Sequence, residues 1–249
     1  MRDREHYLFY SDTIARANAA NAVNAVTLDG DESNHAVSVL RIKAGQQIQV
    51  TDGNGFIYTC RCSDINKRSV SCEIIGKQQI PRIVPELTLL IGLPDKDRFE
   101  TIVEQAAALC VSRIIPVTAD HCRKPWWDRW DGLRRRFLSK MIVSMKQCLY
   151  PHLPRLDAPT TLREALPECE GALIAADQHG KNLNDADITP HKKIACLIGP
   201  PGGLSAAESN FLETCTSIPI TSVKIAPARL RSELAAPILC SRIIAAHLC

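Results

Sequence analysis

The 249-residue chain contains no run of eighteen apolar residues, the least that about one bilayer crossing would need, so no membrane-spanning helix is expected. It has no Cys-x-x-Cys pair. Its eleven cysteines are odd in number and scattered, with only Cys60-x-Cys62 close together. That pattern predicts neither a disulfide framework nor a zinc site, and the cysteines read as small buried hydrophobes in a reducing cytosol. The opening Met1-Arg2-Asp3-Arg4-Glu5-His6 is too charged to start a secretory signal, and a soluble cytoplasmic protein is expected. Aromatic residues are few, at 5%, and all three tryptophans lie between 126 and 130. Two nucleotide-binding signatures are also absent. No Lys-Ser/Thr follows the glycine cluster at 199–203, which fits poorly with a phosphate-cradling loop of the Walker type and disfavours a nucleotide hydrolase, a reading that absence of ATP binding would close. No Gly-x-Gly-x-x-Gly opens a helix with an acid about twenty residues on.

What is present begins with the segment from Ile194 to Glu208. The apolar run Ile194-Ala195-Cys196-Leu197-Ile198 stops at Gly199-Pro200-Pro201-Gly202-Gly203 and gives way to Leu204-Ser205-Ala206-Ala207-Glu208. A short apolar run bounded by turn formers predicts a buried strand, and Ser205-x-x-Glu208 predicts a capping box that starts a helix. Three residues without a Cβ let the backbone take positive φ and let a ligand approach its N–H and C=O groups. A tight strand-to-helix turn with no ligand would use the same residue types.

A second strand-loop-helix junction follows at Val223-Lys224-Ile225-Ala226-Pro227-Ala228-Arg229-Leu230-Arg231-Ser232-Glu233-Leu234-Ala235. Leu234, Ile238, Leu239 and Ile243, interrupted by Arg242, have the spacing of one apolar helical stripe. Two such junctions close together predict one shared site at the carboxyl ends of parallel strands. Upstream, the segments 47–50, 56–60 and 69–75 alternate in polarity between turn signals, which predicts a small antiparallel barrel or sheet. Pro81 and Pro85 mark a linker. Beyond it, strands at 87–91, 113–117, 172–176 and 194–198 alternate with helices at 97–111 and 128–149, the pattern of a parallel α/β sheet.

Net charge is only +3, but Arg123, Lys124, Arg129, Arg134, Arg135, Arg136, Lys140 and Lys146 crowd one region together with Trp126, Trp127 and Trp130. Basic residues interleaved with aromatics suit a polyanion with exposed bases. A solvated helix face anchored by core tryptophans would read the same way.

With these residues in view, the chain resembles the bacterial 16S ribosomal RNA uridine N3-methyltransferase family, a branch of the SPOUT superfamily. The resemblance is carried by His35-x-x-x-Val39-Leu40-Arg41-x-x-x-Gly45, Asp52-Gly53-x-Gly55, Asp95-Lys96-Asp97-x-Phe99-Glu100, Gln147, Gly199-Pro200-x-Gly202-Gly203-Leu204-Ser205-x-x-Glu208 and Leu230-Arg231-Ser232-Glu233-x-Ala235. It implies a β-barrel, PUA-like RNA-binding domain over 1–80 and a trefoil-knotted α/β methyltransferase domain over 81–249. It also implies S-adenosylmethionine as cofactor, no metal, a homodimer, and 16S ribosomal RNA or the small subunit as partner. On that resemblance Ile198, Gly199, Pro200, Gly202, Gly203, Ile225, Ala226, Leu230 and Ser232 would hold the cofactor. Arg231 would stabilise charge on the uracil. Glu233 would accept a proton or orient Arg231. Arg41, Lys43, Lys96, Arg134 and Arg135 would contact RNA.

The chain departs from the family's pattern at Pro201, where a glutamate is usual, at Ala108-Leu109-Cys110, at Tyr150, at Ile225-Ala226, at Ala228 and at Leu234. These departures keep a second reading open, an RNA-binding protein of the same fold that has lost methyl transfer.

Overall fold

The computed structural model describes residues 7–14, 25–66, 68–123, 125–186 and 190–248. The charged opening segment 1–6 and Lys124 lie outside them. The chain divides into two compact units. One comprises residues 1–82 together with 142–153, and the other comprises 83–141 together with 154–249.

The first unit is built on a five-stranded sheet in the order β1-β3-β4-β5-β2, formed by β1 (Leu8–Tyr10), β2 (Ala25–Asp29), β3 (Gln47–Thr51), β4 (Phe56–Ile65) and β5 (Ser69–Gln79). All pairings are antiparallel except β1 on β3. The short helix α1 (Gly30–Asn34) follows β2. Strands β4 and β5 run past the ends read from the sequence, and two register shifts in their ladder keep the long hairpin paired. The alternation of β3 to β5 places Ile48, Val50, Tyr58, Cys60, Cys62, Val70 and Cys72 in one core with Phe9 and Leu28. The Asp52-Gly53-Asn54-Gly55 turn is a structural device. The Asp52 carboxylate accepts from Asn54 N–H at 2.8 Å and from the Tyr58 hydroxyl at 3.3 Å. Gly55 has φ +90°, and a Cβ there would lie 2.4 Å from the His152 ring.

The second unit carries a six-stranded sheet, all parallel, in the order β11-β9-β10-β6-β7-β8. Its strands are β6 (Glu86–Gly92), β7 (Arg113–Val117), β8 (Arg155–Leu156), β9 (Ala172–Asn182), β10 (Lys193–Ile198) and β11 (Ile220–Lys224). The helices are α2 (Lys96–Ala108), α3 (Trp130–Gln147, of which 130–141 belong to this unit and 142–147 to the first), α4 (Leu162–Ala165), α5 (Ala206–Thr214) and α6 (Ser232–His247), with α3 entered through a 3-10 turn at Trp126–Arg129. Near-continuous apolar strands such as Leu87–Ile91 and Ile194–Ile198 are buried on both faces, as a helix-covered parallel sheet requires.

Two details differ from the sequence reading, and a third decides between its two alternatives for the tryptophans. The apolar stripe of α6 excludes Leu234, which is 52% exposed; Ala235, Ala236, Leu239, Cys240 and Ile243 make the buried face. Two of the tryptophans, expected among the candidates for base stacking, are packing residues. Trp126 and Trp130 lie 5.5 and 5.9 Å from the Phe99 ring, and the Trp126 indole donates to the Pro94 carbonyl at 2.9 Å. Strand β9 is longer than 172–176 and leaves its pairing with β11 between Ala175 and Lys181. Residues 176–180 therefore bow out of the sheet. Gly180 closes the excursion, since a Cβ there would come within 2.5 Å of the Val223 nitrogen.

Candidate functional site

Both strand-loop-helix junctions open into one cavity of about 1040 Å³ in the second unit. It lies beyond the carboxyl ends of β9, β10 and β11, where a parallel sheet leaves backbone groups and helix starts free for a ligand. Strand β10 delivers Ile198, Gly199 and Pro200 to the cavity; the turn after β11 delivers Ile225, Ala226, Leu230, Arg231 and Ser232. Gly203 also faces it. Every expected cofactor residue except Gly202 lines this space.

The loop conformation follows from its three glycines, each in a different way. Gly203 has φ +80°, a region that L side chains rarely adopt, and a Cβ there would point into open space. Its N–H closes a turn on the Pro200 carbonyl at 2.8 Å. Gly202 faces the protein, and a Cβ would lie 2.6 Å from the His121 Cβ. Gly199 has ordinary room, its nearest neighbour being Leu204 at 3.6 Å. The demand for a missing side chain sits instead on Gly92, at the end of β6, where a Cβ would meet the Pro200 nitrogen at 2.3 Å. The sequence offered only a lone glycine after an apolar strand as a sign of that approach.

The predicted capping box is present. Ser205 Oγ accepts from Glu208 N–H at 3.2 Å, and Glu208 Oε2 accepts from Ser205 N–H at 2.8 Å. Arg229 bridges the two loops, its guanidinium donating to the Pro201 carbonyl at 2.8 Å. On α6, Arg242 donates to the Ile225 carbonyl at 3.3 Å and also binds Asn184. The turn after β11 is thus tied at both ends.

Arg231 is exposed and forms the N-cap of α6, using its backbone and not its side chain. The guanidinium, which has no acceptor to offer a helix start, lies in the cavity lining. Glu233 is outside the cavity lining; it sits in the first turn of α6 and pairs with Arg98 of α2 at 3.7 Å, with its Oε2 buried and without a hydrogen-bond partner. Arg98, which sequence reasoning missed, does line the cavity. Of the two guanidinium groups nearby in the sequence reading and the structure, the one the Glu233 carboxylate faces is that of Arg98. The β9 excursion adds Asp177, Gln178 and His179 to the rim.

The basic residues separate into paired and unpaired charges. Arg136 pairs with the buried Glu100 at 2.9 Å, Lys140 reaches Glu100 and Glu104 at 3.9 Å, and Lys146 binds Glu32. Lys96 lies 3.0 Å from Asp97. Arg134 reaches only the Leu156 carbonyl at 3.5 Å, and Arg123, Arg129 and Arg135 are exposed with no ion pair among the described residues. In the first unit Arg41, with φ +52°, and Lys43 are both exposed. Among the described residues no cluster could hold a metal ion, and no helix is long and apolar enough to cross a membrane.

Comparison with known proteins agrees with this geometry. Residues 82–244 match the RNA methyltransferase domain and residues 28–75 the RNA methyltransferase PUA domain. Ribosomal RNA small subunit methyltransferase E of Mycobacterium bovis is 24% identical over 243 residues, covering 93% of this chain and 88% of its own. The protein of that name from Aquifex aeolicus is 28% identical over 201 residues, covering 79% and 84%. Among solved structures, ribosomal RNA small subunit methyltransferase E of Neisseria gonorrhoeae, bound to S-adenosyl methionine, superposes with a TM-score of 0.79 at 21% identity, covering 96% of this chain and 97% of its own. A Legionella pneumophila methyltransferase in complex with SAM gives 0.78 at 24% identity, covering 89% and 92%. With well over half its length matched by the methyltransferase domain, and the PUA domain preceding it, the chain belongs to the RNA methyltransferase family, as a divergent relative of the ribosomal RNA small subunit methyltransferase E proteins.

Proposed function

We propose that this protein transfers the methyl group of S-adenosylmethionine to N3 of a uridine in 16S ribosomal RNA, acting as a cytoplasmic homodimer. The observation that carries the reading is the single cavity formed by the glycine loop and the turn after β11. The cofactor fits it on the residues present. Gly203 leaves open the space a Cβ would fill, and the surrounding main chain offers donors and acceptors to a zwitterion. Ile198, Gly199, Pro200, Gly203, Ile225, Ala226, Leu230 and Ser232 would hold it, with Gly202 acting through the shape of the loop. When bound, the cofactor supplies an activated methyl group, so the protein's task is orientation and charge.

N3 lies on the Watson–Crick edge, and the target base must be unpaired or turned out before it can enter. Losing the N3 proton leaves negative charge on the uracil. Arg231, with a guanidinium not spent on capping its helix, stabilises that charge and favours loss of the proton to solvent at the cavity mouth. Glu233 holds Arg98 against the same space. Arg134, Arg135, Arg41 and Lys43, all exposed, bind phosphate, together with the half-buried Lys96 beside Asp97.

The competing reading, an RNA-binding protein without methyl transfer, draws on Pro201, Ala228 and Leu234. The Arg229 to Pro201 hydrogen bond argues against it, because the two loops remain joined although Ala228 carries no charge. Nucleoside mass spectrometry of 16S RNA from cells lacking the protein decides between them. Loss of 3-methyluridine supports the proposal, and an unchanged modification profile refutes it.

A further inference from the structure

Two successive residues of the connection between β7 and α3 touch the glycine loop and the first turn of the helix that follows it. The His121 imidazole Nδ1 lies 3.1 Å from the Gly203 carbonyl, and the Asp120 backbone N–H donates to Glu208 Oε1 at 3.2 Å. The same Glu208 carboxylate caps α5 through Ser205. Against Gly202 the fit is tighter still, with no room for a Cβ beside His121. The connection is itself braced. Thr118 N–H donates to the Thr160 carbonyl at 2.8 Å, Cys122 N–H donates to the Ala119 carbonyl at 2.9 Å, and the Ala119 N–H meets Cys122 Sγ at 3.2 Å.

We propose that His121 is a positioning residue for the cofactor loop. Its ring Nδ1–H donates to the Gly203 carbonyl, and its Cβ closes against Gly202, fixing the one left-handed residue of the loop in the conformation that meets the cofactor. A carbonyl can only accept, so the ring carries its proton on Nδ1. His121 does not line the cavity. It acts through the loop, and Gly202 is a glycine because of the protein, whereas Gly203 is one because of its backbone angle. The inference rests on the proposed cofactor site for its functional consequence, but the brace itself is a property of the protein alone.

Two measurements on the full chain test it. Hydrogen exchange by mass spectrometry, without cofactor, should find residues 199–205 exchanging faster in His121→Ala, with the sheet unchanged, and restored in His121→Asn, whose amide can donate in the same direction. Titration calorimetry with S-adenosylhomocysteine should find binding about five- to tenfold weaker in His121→Ala, the worth of one hydrogen bond, with recovery in the asparagine variant. Gly202→Ala should weaken binding further, and His121→Gly in that background should relieve the clash. Unchanged exchange in His121→Ala overturns the brace. Faster exchange with wild-type affinity overturns its role in binding. A wild-type protein that fails to bind S-adenosylhomocysteine, while the exchange result holds, overturns the cofactor site and leaves the brace standing.

Discussion

Gly203 unites the two demands that a ligand loop makes of a glycine, a left-handed backbone and a flank open to the cavity. A valine there is strained whatever the space, costing about 1–3 kcal/mol of stability, and also projects its branches toward the ligand. Gly203→Val is expected to lower the melting temperature modestly and to abolish S-adenosylhomocysteine binding in calorimetry. Undiminished binding by the folded variant would remove the site. Arg231 makes the complementary prediction. Its side chain caps nothing, so Arg231→Ala should leave folding and cofactor affinity as they are while methyl transfer falls by about two orders of magnitude, as when a charge-stabilising donor is deleted. A single-turnover assay with wild-type rates would leave Arg231 without a part in the chemistry. The capping box, the glycine loop and the turn before α6 were all legible in the sequence, since short-range residue types dictate them. Gly92, Arg98 and His121 were not. Their importance comes from a loop that is remote in sequence and adjacent in space, which no local pattern encodes.

Helix α3 illustrates how a charge run divides once it is folded. One side is spent on α2, where Arg136 and Lys140 compensate the buried Glu100, and the aromatic cluster of Phe99, Trp126, Trp130 and Phe137 packs between the same helices. Arg134 and Arg135 remain turned to solvent. Reversing those two to glutamate should therefore weaken RNA binding and flatten the plot of log affinity against log salt by roughly 0.7 to 0.9 for each phosphate no longer neutralised. S-adenosylhomocysteine affinity should not change. Superimposable salt plots would show that RNA enters elsewhere. Arg136→Ala belongs to another class, and a destabilisation of about 1 kcal/mol is expected because its own exposure screens the pair. Chemical denaturation reads it directly. The tract as a whole was visible in the sequence, but its division was not, because helical spacing alone does not say which face meets α2. The five-residue excursion of β9 was hidden for a related reason. Ala176-Asp177-Gln178-His179-Gly180 looks like the end of a strand, and only pairing with β11 shows that the strand resumes.

For the molecule as a whole, composition and order were informative. Alternating polarity before residue 80 and alternating strands and helices after it gave the two sheets in the right sequence order, while the assignment of 142–153 to the first unit rests on packing that periodicity cannot report. The reading of cysteines as small hydrophobes holds for Cys60, Cys62, Cys72, Cys169, Cys196 and Cys240, which are buried, and Cys148 is exposed. Burial pushes the Cys60 thiol up to about 12 and the Cys169 thiol to about 11, whereas hydrogen bonds from Ser217 lower that of the partly exposed Cys215. Since the thiolate is the nucleophile, alkylation of the native protein near pH 8 should label Cys215 and Cys148 first and spare Cys60 and Cys169 until the fold is lost. Early labelling of Cys60 would mean that the first unit opens readily. The proposed reaction forms one bond at one atom of the base. Its sharpest test is to incubate the purified protein with methyl-labelled S-adenosylmethionine and small subunits lacking the modification, then digest the 16S RNA and identify the labelled nucleoside by mass spectrometry. Label in 3-methyluridine is the expected result. Label in any other nucleoside, or none from a protein that binds the cofactor, would contradict uridine N3 methylation.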